Sequence, residues 1–158
     1  MSNQARIDAE ALAPSIYKAM LRLNAEAHHV TFDPKLTELV KVRVSQINGC
    51  AFCLDMHTKD ARALGETEIR LHVLAAWREA PFYSERERAA LAFAEAVTLL
   101  PHGPVPDDVY NEAARVFSGE ELAILLWQTI VINAWNRMAV PTHMEPGHYQ
   151  PATAAAKA

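Results

Sequence analysis

Residues 33–57 read DPKLTELVKVRVSQINGCAFCLDMH, and this stretch decides both the fold class and the place where chemistry sits. Asp33-Pro34 is a helix start, a capping carboxylate followed by a proline that needs no N–H in the first turn. Leu36, Leu39, Val40, Val44 and Ile47 then recur at helical spacing. Asn48-Gly49 is a stop, because glycine adopts the left-handed conformation that ends a helix. A second helix begins at once, carrying Cys50, Cys53 and His57. On a helix, positions i, i+3 and i+7 fall on one face, so two thiols and a base are expected to share a surface.

Outward from this pair, the chain reads as helices separated by clear punctuation. A helix from about Pro14 to His28 places Ile16, Met20, Leu23 and Ala27 on one stripe. The cysteine helix runs to Gly65, and another spans about Thr67 to Glu79, before Pro81. Ser84-Glu85-Arg86-Glu87 is a capping box opening a helix with Ala89, Phe93, Ala96, Val97 and Leu100 inward. A loop with three prolines, Pro101 to Pro106, precedes a helix from Asp107 to about Phe117. Ser118-Gly119-Glu120-Glu121 is a second capping box, and the last long helix reaches about Met138, short of Pro141. That helix is apolar on most sides, as suits a central helix or one shared between subunits. Val42 to Ile47 is too polar for a buried strand, and Ile130-Val131-Ile132 lies inside a helix-length pattern. The expected fold is all-α, one domain over residues 1–158, a bundle of six to seven helices with an extended tail at 141–158.

Composition sets the outer bounds. The chain has 158 residues, 51% hydrophobic and 22% charged, enough for one buried core. Net charge is -4 with no basic cluster, which argues against nucleic acid or an anionic membrane as partner. The N-terminus lacks the basic-then-apolar pattern of a signal peptide, and the longest apolar stretch, Leu122 to Trp135, is too short to span a bilayer. A cytoplasmic protein is expected. In that reducing compartment a cysteine pair serves catalysis or metal binding rather than stapling.

The thiolate is the nucleophilic form of cysteine, and a free thiol at neutral pH is mostly protonated. Cys50 follows a helix stop, so it meets the positive end of the next helix, which favours an anion. His57 stands four residues after Cys53, within reach as a base. A base works better when a carboxylate orients it, and Glu38 is the candidate. If the two helices fold back around Gly49, Glu38 comes level with His57. Three other uses of these residues remain open: two buried small apolar side chains, a redox sensor without turnover, or a zinc site. In the last, Cys50, Cys53 and His57 would supply three ligands, with Glu38 or a distant histidine as the fourth.

The segment from Glu38 to Arg62 resembles the alkylhydroperoxidase D-like (AhpD-like) core of the carboxymuconolactone decarboxylase superfamily. Its pattern is a Glu, eleven residues, then Cys-x-x-Cys-x-x-x-His, matched by Glu38, Cys50, Cys53 and His57. The match covers residues 33–65, and Ile132 to Arg137 is similar to an Asn-x-x-Asn-Arg segment of close relatives. The resemblance implies a helical antioxidant protein that reduces hydroperoxides. It implies that Cys53 attacks the peroxide, that Cys50 resolves the sulfenic acid to a disulfide, and that Glu38 and His57 relay protons. It further implies no bound cofactor, an external dithiol reductant such as a lipoyl-bearing protein, and a homo-oligomer, trimer or hexamer. Some members carry a histidine directly before the second cysteine, where this chain has Phe52. A lactone decarboxylase from the other branch of the superfamily is the rival enzyme, and its chemistry does not need two cysteines.

The remaining polar residues carry weaker expectations. His28 and His29 end a helix where the dipole favours cations. His72 reads as packing or surface, and His102, His143 and His148 receive no role. Asn133 and Arg137 are expected either in a polar network that meets Glu38 or at a subunit contact. Trp77, Trp127 and Trp135 read as core or interface.

Overall fold

The computed structural model describes residues 6–30 and 32–151, which form eight α-helices and no strand. They are α1 (Ala9–Leu12), α2 (Pro14–His29), α3 (Pro34–Asn48), α4 (Ala51–Ala63), α5 (Glu68–Val73), α6 (Glu85–Thr98), α7 (Asp107–Val116) and α8 (Gly119–Thr142). The start of α3 and both capping boxes lie where the sequence places them. Asp33 accepts from the backbone N–H of Lys35 at 2.9 Å and of Leu36 at 3.2 Å. Ser84 and Ser118 each exchange side-chain and backbone bonds with Glu87 and Glu121.

The centre belongs to α3, not α8. Nine of its residues are buried, Leu36 to Val42 together with Val44 and Ser45, and α4, α6 and α8 all pack on it. The last helix buries Leu125, Thr129, Val131 and Ile132 but leaves Trp127, Ile130 and Val140 in solvent. Helix α2 is shallower still. Its expected inner stripe buries Ala27 alone, and Ile16 and Leu23 are exposed.

Three boundaries differ from expectation. The segment after Thr67 is not one helix: α5 passes into a 3-10 turn, Leu74–Ala76, and then into turns. The turns are held from α6, where the Arg88 guanidinium takes the carbonyls of Trp77 (3.1 Å), Arg78 (3.2 Å) and Ala80. Leu100 sits in another 3-10 turn and is exposed rather than inward. Helix α8 runs through Pro141 to Thr142. A proline there leaves only the carbonyl of Arg137 without its intrahelical donor, and both residues are on the exposed side. The tail after Thr142 folds back along α4. Gly147 donates its N–H to Asp55 (3.0 Å), Lys59 donates to the Tyr149 carbonyl (2.9 Å), and the Tyr149 hydroxyl donates to Asp60 (2.7 Å). The alanine-rich end of the expected extended tail lies outside the described residues.

Burial predicts contrasting mutational costs. Leu125 has no exposed surface, so Leu125→Ala should lose about 3 kcal/mol. Leu100 is 55% exposed, and Leu100→Ala should change stability by less than about 0.5 kcal/mol. Urea unfolding of the two variants checks the contrast; equal losses would contradict the placement of Leu100.

Candidate active site

The turn between α3 and α4 sets the geometry of the thiols. Gly49 closes α3 at φ 65°, a left-handed conformation that costs glycine little. The chain then reverses, and Cys50 becomes the N-cap of α4, its sulfur accepting the N–H of Cys53 at 3.4 Å. Because an N-cap residue is not helical, Cys50 leaves the face expected for position i. Cys53 and His57 line a cavity of about 240 Å³. Both thiols are buried, Cys50 at 1% and Cys53 at 3% exposure, and of the two it is Cys53 that borders the cavity. Two of the three expected face-sharing groups therefore meet the cavity, and the second thiol backs onto them.

The hairpin brings Glu38 to His57. The Glu38 carboxylate accepts from Nδ1 of His57 at 2.8 Å and, on its other oxygen, from Lys41 Nζ at 2.9 Å. Glu38 is 5% exposed and Lys41 3%. Burial pushes the carboxyl up, but the hydrogen bond and charge of His57, then those of Lys41, outweigh it and hold Glu38 at about 2. With its proton engaged at Nδ1, neutral His57 has a lone pair free at Nε2. That nitrogen can accept a proton.

The two thiols are electrostatically unequal. Cys50 lies well below the ordinary thiol range because the Cys53 thiol hydrogen-bonds to it, against the effect of burial, with further help from backbone N–H groups and the Asn136 amide. Cys53 is pushed up by that same bond to Cys50, by burial and by the Cys50 charge. The direction favours the anion on Cys50 and the proton on the sulfur that borders the cavity.

Asn136, Lys41 and His28 are the residues that sequence reasoning missed. Asn136 is 1% exposed, and its Oδ1 accepts from Asn48 at 2.9 Å while its Nδ2 donates to Ser45 at 3.1 Å. Asn133 joins the same network, accepting from Asn48 at 3.0 Å and from Arg137 at 2.6 Å. The network does not meet Glu38: Asn48 ends α3, whereas Glu38 lies near its start. The signal for Lys41 was its place three residues after Glu38, on the same face of α3. His28 is held by Lys41, whose Nζ lies 3.4 Å from its Nε2. Trp135, expected in core or interface, is also a cavity wall and donates to Asn24 at 3.1 Å.

The expected zinc set is not what the hairpin assembles. Among the described residues the group able to approach one ion is Glu38, His57 and Asp60, with neither cysteine in it. The Lys41 ammonium on Glu38 sets a positive charge against any cation there.

A carboxyl held low in the folded state stabilises above its unfolded value and loses that contribution as pH falls toward its folded value. For Glu38 the window runs from 4.5 down to about 2. Urea unfolding should lose stability on the order of 3 kcal/mol across that window from this group. Glu38→Gln should be less stable at pH 7 but flatter with pH; an unchanged acid profile would refute the assignment.

The chain and its fold have recognisable relatives. Residues 14–96 match the carboxymuconolactone decarboxylase family. The uncharacterized protein YdfG of Bacillus subtilis is 42% identical over 135 residues, 85% of this chain and 92% of its own length. A solved protein of unknown function from Agrobacterium tumefaciens, proposed as the antioxidant defence protein AhpD, is 35% identical. It superposes with a TM-score of 0.89 over 92% of this chain and 100% of its own. The debrominase Bmp8 shares the fold alone, at 21% identity and a TM-score of 0.78 over 87% of this chain and 74% of its own. With half the chain inside the family match and near full-length relatives on both counts, this protein is an AhpD-like member of the carboxymuconolactone decarboxylase family.

Proposed function

We propose that the protein is a thiol-dependent peroxidase in which Cys53 reduces a hydroperoxide and Cys50 closes the disulfide. One observation carries the reading: Cys53 stands on a cavity wall beside a His57–Glu38 pair, with the low-pKa Cys50 directly behind it. His57 Nε2 takes the Cys53 proton. The thiolate attacks the outer peroxide oxygen, the O–O bond breaks, and its electron pair leaves on the alkoxide. The Cys50 thiolate then displaces hydroxide from the sulfenic acid, leaving a disulfide. Exchange with an external dithiol, such as a lipoyl-bearing protein, restores both thiols. The reaction belongs in the reducing cytoplasm, where such dithiols are kept reduced.

The apolar surface supports the second part of the proposal, a homo-oligomer of trimer or hexamer size. Ile16 (72%), Leu23 (38%), Val30 (41%) and Trp127 (53%) are exposed on α2, its end and the facing side of α8. Leu23, Val30 and Trp127 line one shallow groove between these helices. Exposed apolar area of this kind marks an interaction surface.

With dihydrolipoamide supplied, Cys53→Ser should abolish peroxide consumption, whereas Cys50→Ser should react once and stop. Thiol titration before and after one equivalent of peroxide should show two thiols lost in the unmodified protein. Sustained turnover by Cys53→Ser would sink the reading. In light scattering, Trp127→Glu should lower the oligomer mass; a monomer in the unmodified protein would remove the assembly.

A further inference from the structure

The cavity holds two imidazoles, not one. His57 contributes from α4 and His28 from the last turn of α2. They are joined behind the wall by the buried Glu38–Lys41 pair. The links are His57 Nδ1 to Glu38 at 2.8 Å, Lys41 to Glu38 at 2.9 Å, and Lys41 to His28 Nε2 at 3.4 Å. Each end of the chain faces the space in front of Cys53. Sequence position alone gives His28 a dipole role at the end of α2, but a residue serving only the dipole needs no buried partner. Lys41 is 3% exposed, and besides Glu38 the group its ammonium reaches is this imidazole.

The chain fixes what each ring can do. An ammonium only donates, so His28 must accept at Nε2, and a neutral His28 then carries its proton on Nδ1. His57 is engaged at Nδ1 and has its lone pair at Nε2. One ring can therefore take a proton and the other can give one. Burial and the Lys41 charge hold His28 below the ordinary imidazole value, with His57 of α4 acting the same way and Glu38 of α3 and Asp60 of α4 opposing. At neutral pH the ring is therefore in the state that accepts from Lys41.

Building on the peroxidase reading, we infer that His28 is a second catalytic residue, the proton donor to the oxygen that leaves when Cys53 attacks a hydroperoxide. As the S–O bond forms and the O–O bond breaks, the leaving alkoxide takes the Nδ1 proton of His28. Lys41 replaces it at Nε2. The Cys53 proton is by then on His57. The buried Glu38 carboxylate faces one full positive charge throughout, on Lys41 before the step and on His57 after it. When Cys50 displaces hydroxide from the sulfenic acid, His57 gives that hydroxide its proton and forms water. Lys41 recovers a proton from solvent by way of His28, which is on the exposed side of α2. The balance is one thiol, one thiolate, one hydroperoxide and one solvent proton giving a disulfide, an alcohol and water.

The test uses leaving groups of different basicity. tert-Butyl hydroperoxide expels an alkoxide that needs a proton, whereas peracetic acid expels acetate, which does not. His28→Gln keeps an acceptor for Lys41 but cannot pass a proton on, and its exposed site should leave folding intact, checked by circular dichroism. In stopped-flow single turnovers of the reduced protein, this variant should lose about a hundredfold with tert-butyl hydroperoxide. With peracetic acid it should stay within about threefold of the unmodified protein. Equal losses on both oxidants would make His28 a positioning residue and overturn the inference, as would no loss on either. If the unmodified protein reacts with neither oxidant faster than Cys53→Ser does, the peroxidase reading itself fails and the inference falls with it.

Discussion

A carboxylate buried between two cations-in-waiting organises this molecule. Glu38 is nearly inaccessible, yet it is ionised, because Lys41 and His57 each donate to one of its oxygens. Removing one partner from such a pair leaves an uncompensated charge in the interior, a cost of about 3–5 kcal/mol. The requirement runs outward from there. It ties α4 to α3 across the Gly49 turn, and it gives the end of α2 a polar anchor on a helix that buries little else. The same contacts that satisfy the charge also decide which nitrogen of each imidazole is free. Stability and proton chemistry therefore rest on one set of bonds.

The thiols show a comparable division imposed by backbone geometry. An N-cap residue sits at the positive end of the helix dipole but off its helical face. Cys50 is held low chiefly by the hydrogen bond from the Cys53 thiol, with backbone N–H groups adding to it, and lies behind the cavity; Cys53 is pushed up and borders it. In a dithiol mechanism these are complementary properties. In the proposed mechanism the sulfur at the cavity needs a base at the moment of attack, the role proposed for His57. The hidden sulfur must be a nucleophile as soon as a sulfenic acid forms next to it. Asn136, fixed by Asn48 and Ser45, turns an amide toward this pair and connects it to α8.

Local signals in the chain spoke clearly about α3, α4 and the two capped helices, because caps and glycine stops act within a few residues. Glu38, Cys50, Cys53 and His57 were legible as a set through their spacing, which allowed Glu38 to meet His57, and the hairpin brings the two together. What was illegible depends on other helices. Leu100 looked inward by periodicity, but the helix ends before it. The Thr67–Glu79 segment looked helical throughout, but its last part is a set of turns whose carbonyls Arg88, from α6, holds. His28 lies 29 residues before His57 and on a different helix, so no spacing rule connects them; only the buried lysine does. Asn133 and Arg137 were correctly singled out as polar on an apolar helix, but their partner is the end of α3 rather than Glu38.

Phe52 gives the site its particular character. Where some relatives place a histidine next to the second cysteine, this chain places an aromatic ring on the cavity wall, with Met56, Trp135 and Met144 beside it. The substitution makes the wall more apolar and removes an acid–base group from α4. The imidazole of His28 enters the same cavity from α2. Its link to Lys41 and Glu38 means that it is not an isolated histidine but the far end of the network that already orients His57. In the proposed reaction, a cavity with apolar walls and two oppositely poised imidazoles would suit a peroxide whose organic body fills the space, with the leaving oxygen drawing its proton from the protein rather than from the apolar wall.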